Sequence, residues 1–106
     1  MELVKLVYRV TATLPPSEEY GLIRQMRRAV ISIPSNIAEG SARQSNRESV
    51  HFYIIARASL SELDAQIELC ISLGFLDSSS ASLLSTHLET ADSLLSGVIR
   101  FKRQRR

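Results

Sequence analysis

Few side chains in this sequence could perform covalent chemistry, and their spacing keeps them apart. The two histidines, His51 and His87, cannot supply a metal site by themselves. The single cysteine, Cys70, sits on an apolar line and reads as a small core hydrophobe. Serine is abundant, yet none lies in a nucleophile-elbow setting. No nucleophile, base and orienting group converge. The residues therefore read as non-enzymatic, with no catalytic residue, no metal site and no cofactor. One cysteine also excludes a disulfide framework and a cysteine zinc cage, and it fits a reducing cytosol.

Arginine and small polar residues carry more information. Arg28, Ser32, Asn36 and Glu39 follow at steps of four, four and three, so they share one helical face beside an apolar stripe. Ser59, Glu62 and Gln66 make a second track downstream. Counting outward from a turn near residue 43 sets Arg28 level with Ser59 to Glu62, and Glu39 level with Arg47. Two cross-helix ion pairs are expected, Arg28–Glu62 and Glu39–Arg47. Their expected role is structural, because half-buried polar groups pair and pairs fix register.

The elements that position these tracks are helices. Apolar residues recur at three- and four-residue steps, and strict alternation is nearly absent. The pattern predicts an all-α, antiparallel up-down-up-down four-helix bundle with helices over about 2–13, 17–40, 45–73 and 78–103. Pro15-Pro16 breaks the first helix, and Ser17 reads as the cap of the second. Pro34 falls inside the second helix and predicts a kink rather than a stop. Ser45 with Glu48 has capping-box spacing, Gly74 reads as a left-handed terminator, and Asp77 or one of Ser78 to Ser80 caps the fourth helix. The expected core stripes are Leu3, Val7, Val10, Leu14; Ile23, Met26, Val30, Ile33, Ile37; Phe52, Ala56, Ser59, Leu63, Ile67, Cys70; and Leu84, Leu88, Ala91, Leu95, Val98. Apolar rows outside these stripes, including Leu83, Leu94 and Ile99, point to a second buried surface, a contact between subunits. One domain over residues 1–106 accounts for the length.

The formal net charge of +2 hides segregation. Residues 1–60 carry eight basic and five acidic side chains, residues 61–99 six acidic and no basic ones, and residues 100–106 five basic ones. The segments are therefore +3, −6 and +5. Up-down topology brings the end of the second helix, the start of the third and the end of the fourth to one pole. Arg43, Arg47, Arg100, Lys102, Arg103, Arg105 and Arg106 collect there, with 102–106 forming a basic C-terminal end. Glu62, Asp64, Glu68, Asp77, Glu18 and Glu19 are expected at the other pole. Arg24, Arg27 and Arg28 form a smaller basic cluster with Arg28 turned inward; Arg24 and Arg27 are further candidates for nucleic-acid contact, and for this cluster alone a solvated charged face is the expected role. A set of basic ends fits phosphate-backbone binding with strong salt dependence and little sequence preference. Tyr8 and Tyr53 are the only candidates for base stacking, and packing is the expected role of each. No apolar run reaches the roughly 18 residues of a membrane span, and no basic-then-apolar leader opens the chain, so a cytoplasmic location is expected.

One run is distinctive: Tyr20-Gly21-Leu22, Gln25-Met26-Arg27-Arg28-Ala29 and Ser32-Ile33-Pro34-Ser35-Asn36-Ile37-Ala38-Glu39-Gly40, followed by Ala56-Arg57-Ala58-Ser59-Leu60-Ser61-Glu62-Leu63. Over about residues 14–101 the chain resembles the bacterial 23S rRNA intervening-sequence proteins. A relative of that family is the accessory variability protein of diversity-generating retroelements. The resemblance implies a left-handed antiparallel bundle assembled into a homopentameric barrel. In the retroelement relative, a basic surface contacts nucleic acid and a reverse transcriptase. The matching positions here are Arg28, Ser32, Pro34, Asn36, Glu39, Gly40, Ser59 and Glu62, which are the polar tracks above.

Two departures from the family pattern carry expectations. Met1 to Val4 looks like the middle of the first helix: either its start is truncated or the helix is short, and an apolar groove should then be open at one end of the bundle. Ala58 stands where the family usually has glycine before Ser59, which loosens a close helix contact. The function expected is an oligomeric bundle whose partners are other copies of itself and RNA or DNA. The alternative is a structural or adaptor protein whose partner is another protein.

Overall fold

The computed structural model describes residues 1–105, so Arg106 of the basic end lies outside the described residues. Four helices run α1 (Glu2–Thr11), α2 (Arg24–Ser41), α3 (Asn46–Ser72) and α4 (Ser78–Gln104), with no strand among the described residues. Short connections turn α3 back on α2 and α4 back on α3, a longer link joins α1 to α2, and the elements pack as a four-helix bundle 46 Å long.

The helix ends follow from their residues. Ser45 Oγ accepts from the Glu48 amide at 3.1 Å and starts α3. Gly74 takes φ of 76°, the left-handed conformation that ends α3 at little cost only for glycine. Asp77 Oδ1 accepts from the Ser80 amide at 2.7 Å and starts α4. These hydrogen bonds favour the charged carboxylate and hold Asp77 below its ordinary value of 3.8. A group whose folded pKa is depressed stabilises the fold above its unfolded pKa and loses that contribution as pH falls through the folded one. Asp77→Asn should therefore flatten the acid side of a pH–melting curve, read by circular dichroism between pH 5 and about 2.

The start of the second helical arm differs from expectation. Ser17 is not a helix cap. Pro15 and Pro16 lead into a 3₁₀ turn over Pro16–Glu18 and a wide turn over Glu19–Ile23, and regular α-helix begins only at Arg24. The proline pair presets φ for a tight turn. Gly21 then leaves helical geometry altogether, at φ −103° and ψ −108°. α1 also stops at Thr11, two residues early. Pro34 does not stop α2, which continues through it to Ser41.

The core joins all four helices and the buried Leu14, with Val7, Met26, Val30, Ile33, Ala56, Leu63, Ile67 and Leu84 fully enclosed. Two stripes drift from their expected lines. On α3, Tyr53 is buried and Phe52 only half-buried. On α4, Ile99 is buried and Val98 exposed, because a 3.6-residue period carries the buried line from Leu95 to Ile99. Leu83, Leu94 and Phe101 remain on the outside. Cys70 packs with its Sγ 3.6 Å from Met26 Sδ, and burial, with Glu18 adding to it, pushes its thiol up. It should resist thiol-modifying reagents at neutral pH until the protein is denatured. Rapid labelling of the native protein would contradict this packing.

α1 has 10 residues and α3 and α4 have 27 each, so α1 covers roughly 15 Å of partners about 40 Å long. An apolar groove of about 300 Å³ opens at its start, between Met1, Ile37, Tyr53, Leu94, Leu95 and Val98. Among the described residues no helix is long and apolar enough to cross a membrane.

Candidate nucleic-acid interface

The polar track of α2 meets α3 through serine rather than through charge. Ser59 Oγ donates to Ser32 Oγ at 2.9 Å, and Asn36 Nδ2 donates to Ser32 Oγ at 3.0 Å and to the Ser32 carbonyl at 2.8 Å. Ser59 is buried, and Ser32 and Asn36 are half-buried. Gly40 completes the seam. Its carbonyl accepts from Ser49 Oγ at 2.7 Å, and Ser41 Oγ lies 3.0 Å from the Tyr53 hydroxyl.

The two expected cross-helix ion pairs are absent. Arg28 is exposed and forms no ion pair with Glu62, which accepts instead from Gln66 Nε2 at 3.3 Å. Glu39 pairs with Arg43, four residues on and just past the end of α2, not with Arg47. Small hydroxyls bring α2 and α3 together at the level of Ser32 and Ser59, and a charged seam there would have to be desolvated. Arg27, not Arg28, is the inward member of its cluster. Its Nε donates to Thr11 Oγ1 at 2.9 Å, its Nη2 donates to the Tyr8 carbonyl at 3.4 Å, and its guanidinium lies 4.6 Å from the Tyr8 ring centre. Arg27→Ala should thus lower stability by about 1–2 kcal/mol, whereas Arg28→Ala should stay within about 0.5 kcal/mol. Paired urea titrations check the contrast, and a larger loss at Arg28 would reverse the assignment.

The basic pole is held together by a contact between distant parts of the chain. Asn46 Nδ2 donates to the Arg105 carbonyl at 3.4 Å, so the end of α4 meets the start of α3. Arg43 lies just past α2, Arg47 in the first turn of α3, and Lys102 and Arg103 in the last turn of α4. Two of the cations cover aromatic rings. Arg43 lies 4.5 Å from the Phe52 ring centre, and Arg105 lies 4.7 Å from that of Phe101. Apart from Arg43, none of Arg47, Arg100, Lys102, Arg103 and Arg105 forms an ion pair among the described residues. Arg24 and Arg27 are not brought to this end. They occupy the first turns of α2, and α2 runs from there toward the pole.

Tyr53 is buried and Arg27 covers a face of Tyr8, so neither expected candidate is free to stack on a base, whereas Tyr20, outside that expectation, is 79% exposed. Ala58 is exposed, so its methyl group crowds no helix of the bundle. One basic residue of the surface is not evident from the sequence pattern. Arg57 is half-buried and lines a cleft with Arg100 and Arg103 of α4. The helical spacing Val50, Tyr53, Arg57, Leu60, Asp64 along α3 could have disclosed it. Farther along the same α3/α4 seam, Asp64, Glu89 and Asp92 line a second groove of opposite charge.

The molecule is a four-helix bundle whose α2/α3 seam is built from the Ser32-to-Gly40 run and whose one end gathers Arg43, Arg47, Lys102, Arg103 and Arg105. The family model described as 23S rRNA-intervening sequence protein matches residues 1–97, and the chain belongs to that family. No curated protein matches it.

Proposed function

We propose that the protein is a non-enzymatic, oligomeric bundle that binds nucleic acid without sequence preference through its basic pole. The observation that carries this reading is the meeting of α3 and α4 through Asn46 and Arg105, around Arg47, Lys102 and Arg103, which have no carboxylate partner among the described residues. Such groups attract phosphates and release counterions on binding, which gives affinity without base readout. The non-enzymatic part rests on where the reactive groups lie: Cys70 is in the core, and His51 packs edge-on against Phe52 with centroids 5.2 Å apart. Self-association, with a homopentamer as the expected assembly, is supported by the outer apolar row of α4. Leu94 and Phe101 are 66% and 53% exposed there, beside the apolar groove. The location proposed is the cytoplasm.

That same row also favours a second reading, in which the partner is another protein, such as a reverse transcriptase. Purification at low salt distinguishes the two. Under the first reading the protein retains nucleic acid, seen as a high 260/280 nm absorbance ratio that falls after a high-salt wash. A clean protein that binds neither RNA nor DNA at low salt would defeat it.

A further inference from the structure

The charges along the α3/α4 seam are sorted more sharply than a general basic end requires. A cleft of about 360 Å³ lies between Arg57 on α3 and Ser96, Arg100, Arg103 and Gln104 on α4, with the buried Ile99 beneath. The four α4 residues stand at i, i+4, i+7 and i+8, so one helical face presents them together. Among the described residues no carboxylate lines this cleft. Arg57 is half-buried, yet it makes no hydrogen bond or ion pair among the described residues. A guanidinium has five donors in a planar fork that matches a phosphate, and a partly desolvated one without an acceptor lacks part of its bonding. Three guanidinium groups around one opening also repel each other, and an anion between them relieves that repulsion.

The geometry points to this cleft as a phosphate-binding site, with Arg57, Arg100 and Arg103 as the charged donors and Ser96 and Gln104 as neutral ones. As a contact for nucleic acid it rests on the reading proposed above and extends it from the end of the bundle onto its side. Arg57 lies ten residues beyond Arg47 on α3, roughly 15 Å. That is about four phosphates of one duplex strand, at about 3.4 Å of axis each. One strand can therefore touch the pole and the cleft together. The acidic groove limits the path. Asp64 is two helical turns past Arg57, and Asp92 one turn before Ser96, so phosphates are repelled beyond the cleft. The predicted footprint runs from the pole along the seam and stops there.

Side-chain Nε–Hε spectra of ¹⁵N-arginine-labelled protein test the site, with inorganic phosphate in one titration and an eight-residue oligothymidylate in another. The Arg57 signal should move in both. Arg57→Gln, with a melting curve to verify folding, should abolish the phosphate response of Arg100 and Arg103. It should also weaken oligonucleotide binding about three- to tenfold and lower the salt slope by roughly 0.7, while Arg57→Lys retains part of the affinity. If the oligonucleotide moves Arg43 and Arg47 while Arg57 stays fixed in both titrations, the cleft proposal fails and the basic-pole reading stands. If phosphate moves Arg57 and the oligonucleotide moves nothing, the cleft is a free-phosphate site and the nucleic-acid reading falls. If no arginine responds to either probe, both fail.

Discussion

Gly40→Ala is expected to destabilise the protein by roughly 1–2 kcal/mol and to lower its melting temperature by about 5–10 °C. A methyl group there would stand 2.7 Å and 2.9 Å from two ring carbons of Tyr53 and 3.0 Å from the Ser49 carbonyl oxygen. The ring is buried, so it cannot simply swing away. Alanine would gain up to about 1 kcal/mol of helix propensity over glycine, and overpacking must exceed that gain. Gly97 is the control. An added Cβ at Gly97 meets nothing within 4 Å, so Gly97→Ala should raise stability by up to about 1 kcal/mol. Tyr53→Leu combined with Gly40→Ala should recover part of the loss, because the clash is with the ring edge. An unchanged or higher melt for Gly40→Ala would mean that the helices are not held this closely.

The second large effect is expected at the pole. Deleting residues 102–106, or reversing Arg43 and Arg47 to Glu together, should weaken binding of a short single-stranded oligonucleotide by at least about tenfold at low salt. The slope of log K against log salt should become shallower by roughly 0.7 for each phosphate that is no longer neutralised. Fluorescence anisotropy across a salt series measures both quantities. The assembled mass of the Arg43 and Arg47 reversal should not change, because those two residues lie apart from the outer apolar row of Leu94, Val98 and Phe101, whose Phe101 is covered by Arg105. Loss of binding and of assembly together would assign the pole to assembly instead.

The number of helices, the caps at Ser45 and Asp77 and the terminator at Gly74 were legible in the residues, because each depends on local chemistry. The basic pole was legible for a related reason: charge segregation along the chain and antiparallel topology together dictate which ends meet. What depended on side-chain rotation about an axis was not. Counting from a turn sets which residues are level, but it does not set the 100° steps that separate Arg27 from Arg28 or Tyr53 from Phe52. Level residues on facing helices also need not pair. Ser32 and Ser59 bond directly, whereas Arg28 and Glu62 stay in solvent. The displaced start of the second arm has a backbone origin, since Pro15-Pro16 and the non-helical Gly21 delay regular helix to Arg24. The helical line of Arg57 is legible in the α3 spacing, but the cleft is not, because its other residues come from α4, about forty residues away.

The central claim is that an oligomer of this bundle binds nucleic acid at its basic pole. Light scattering in line with size exclusion, run with and without a short RNA, tests it most directly. At low salt the protein should elute as a single multimer with RNA in the same peak, and high salt should release the RNA while leaving the protein mass unchanged. A protein peak free of RNA at low salt, or a monomer under every condition, would contradict the account.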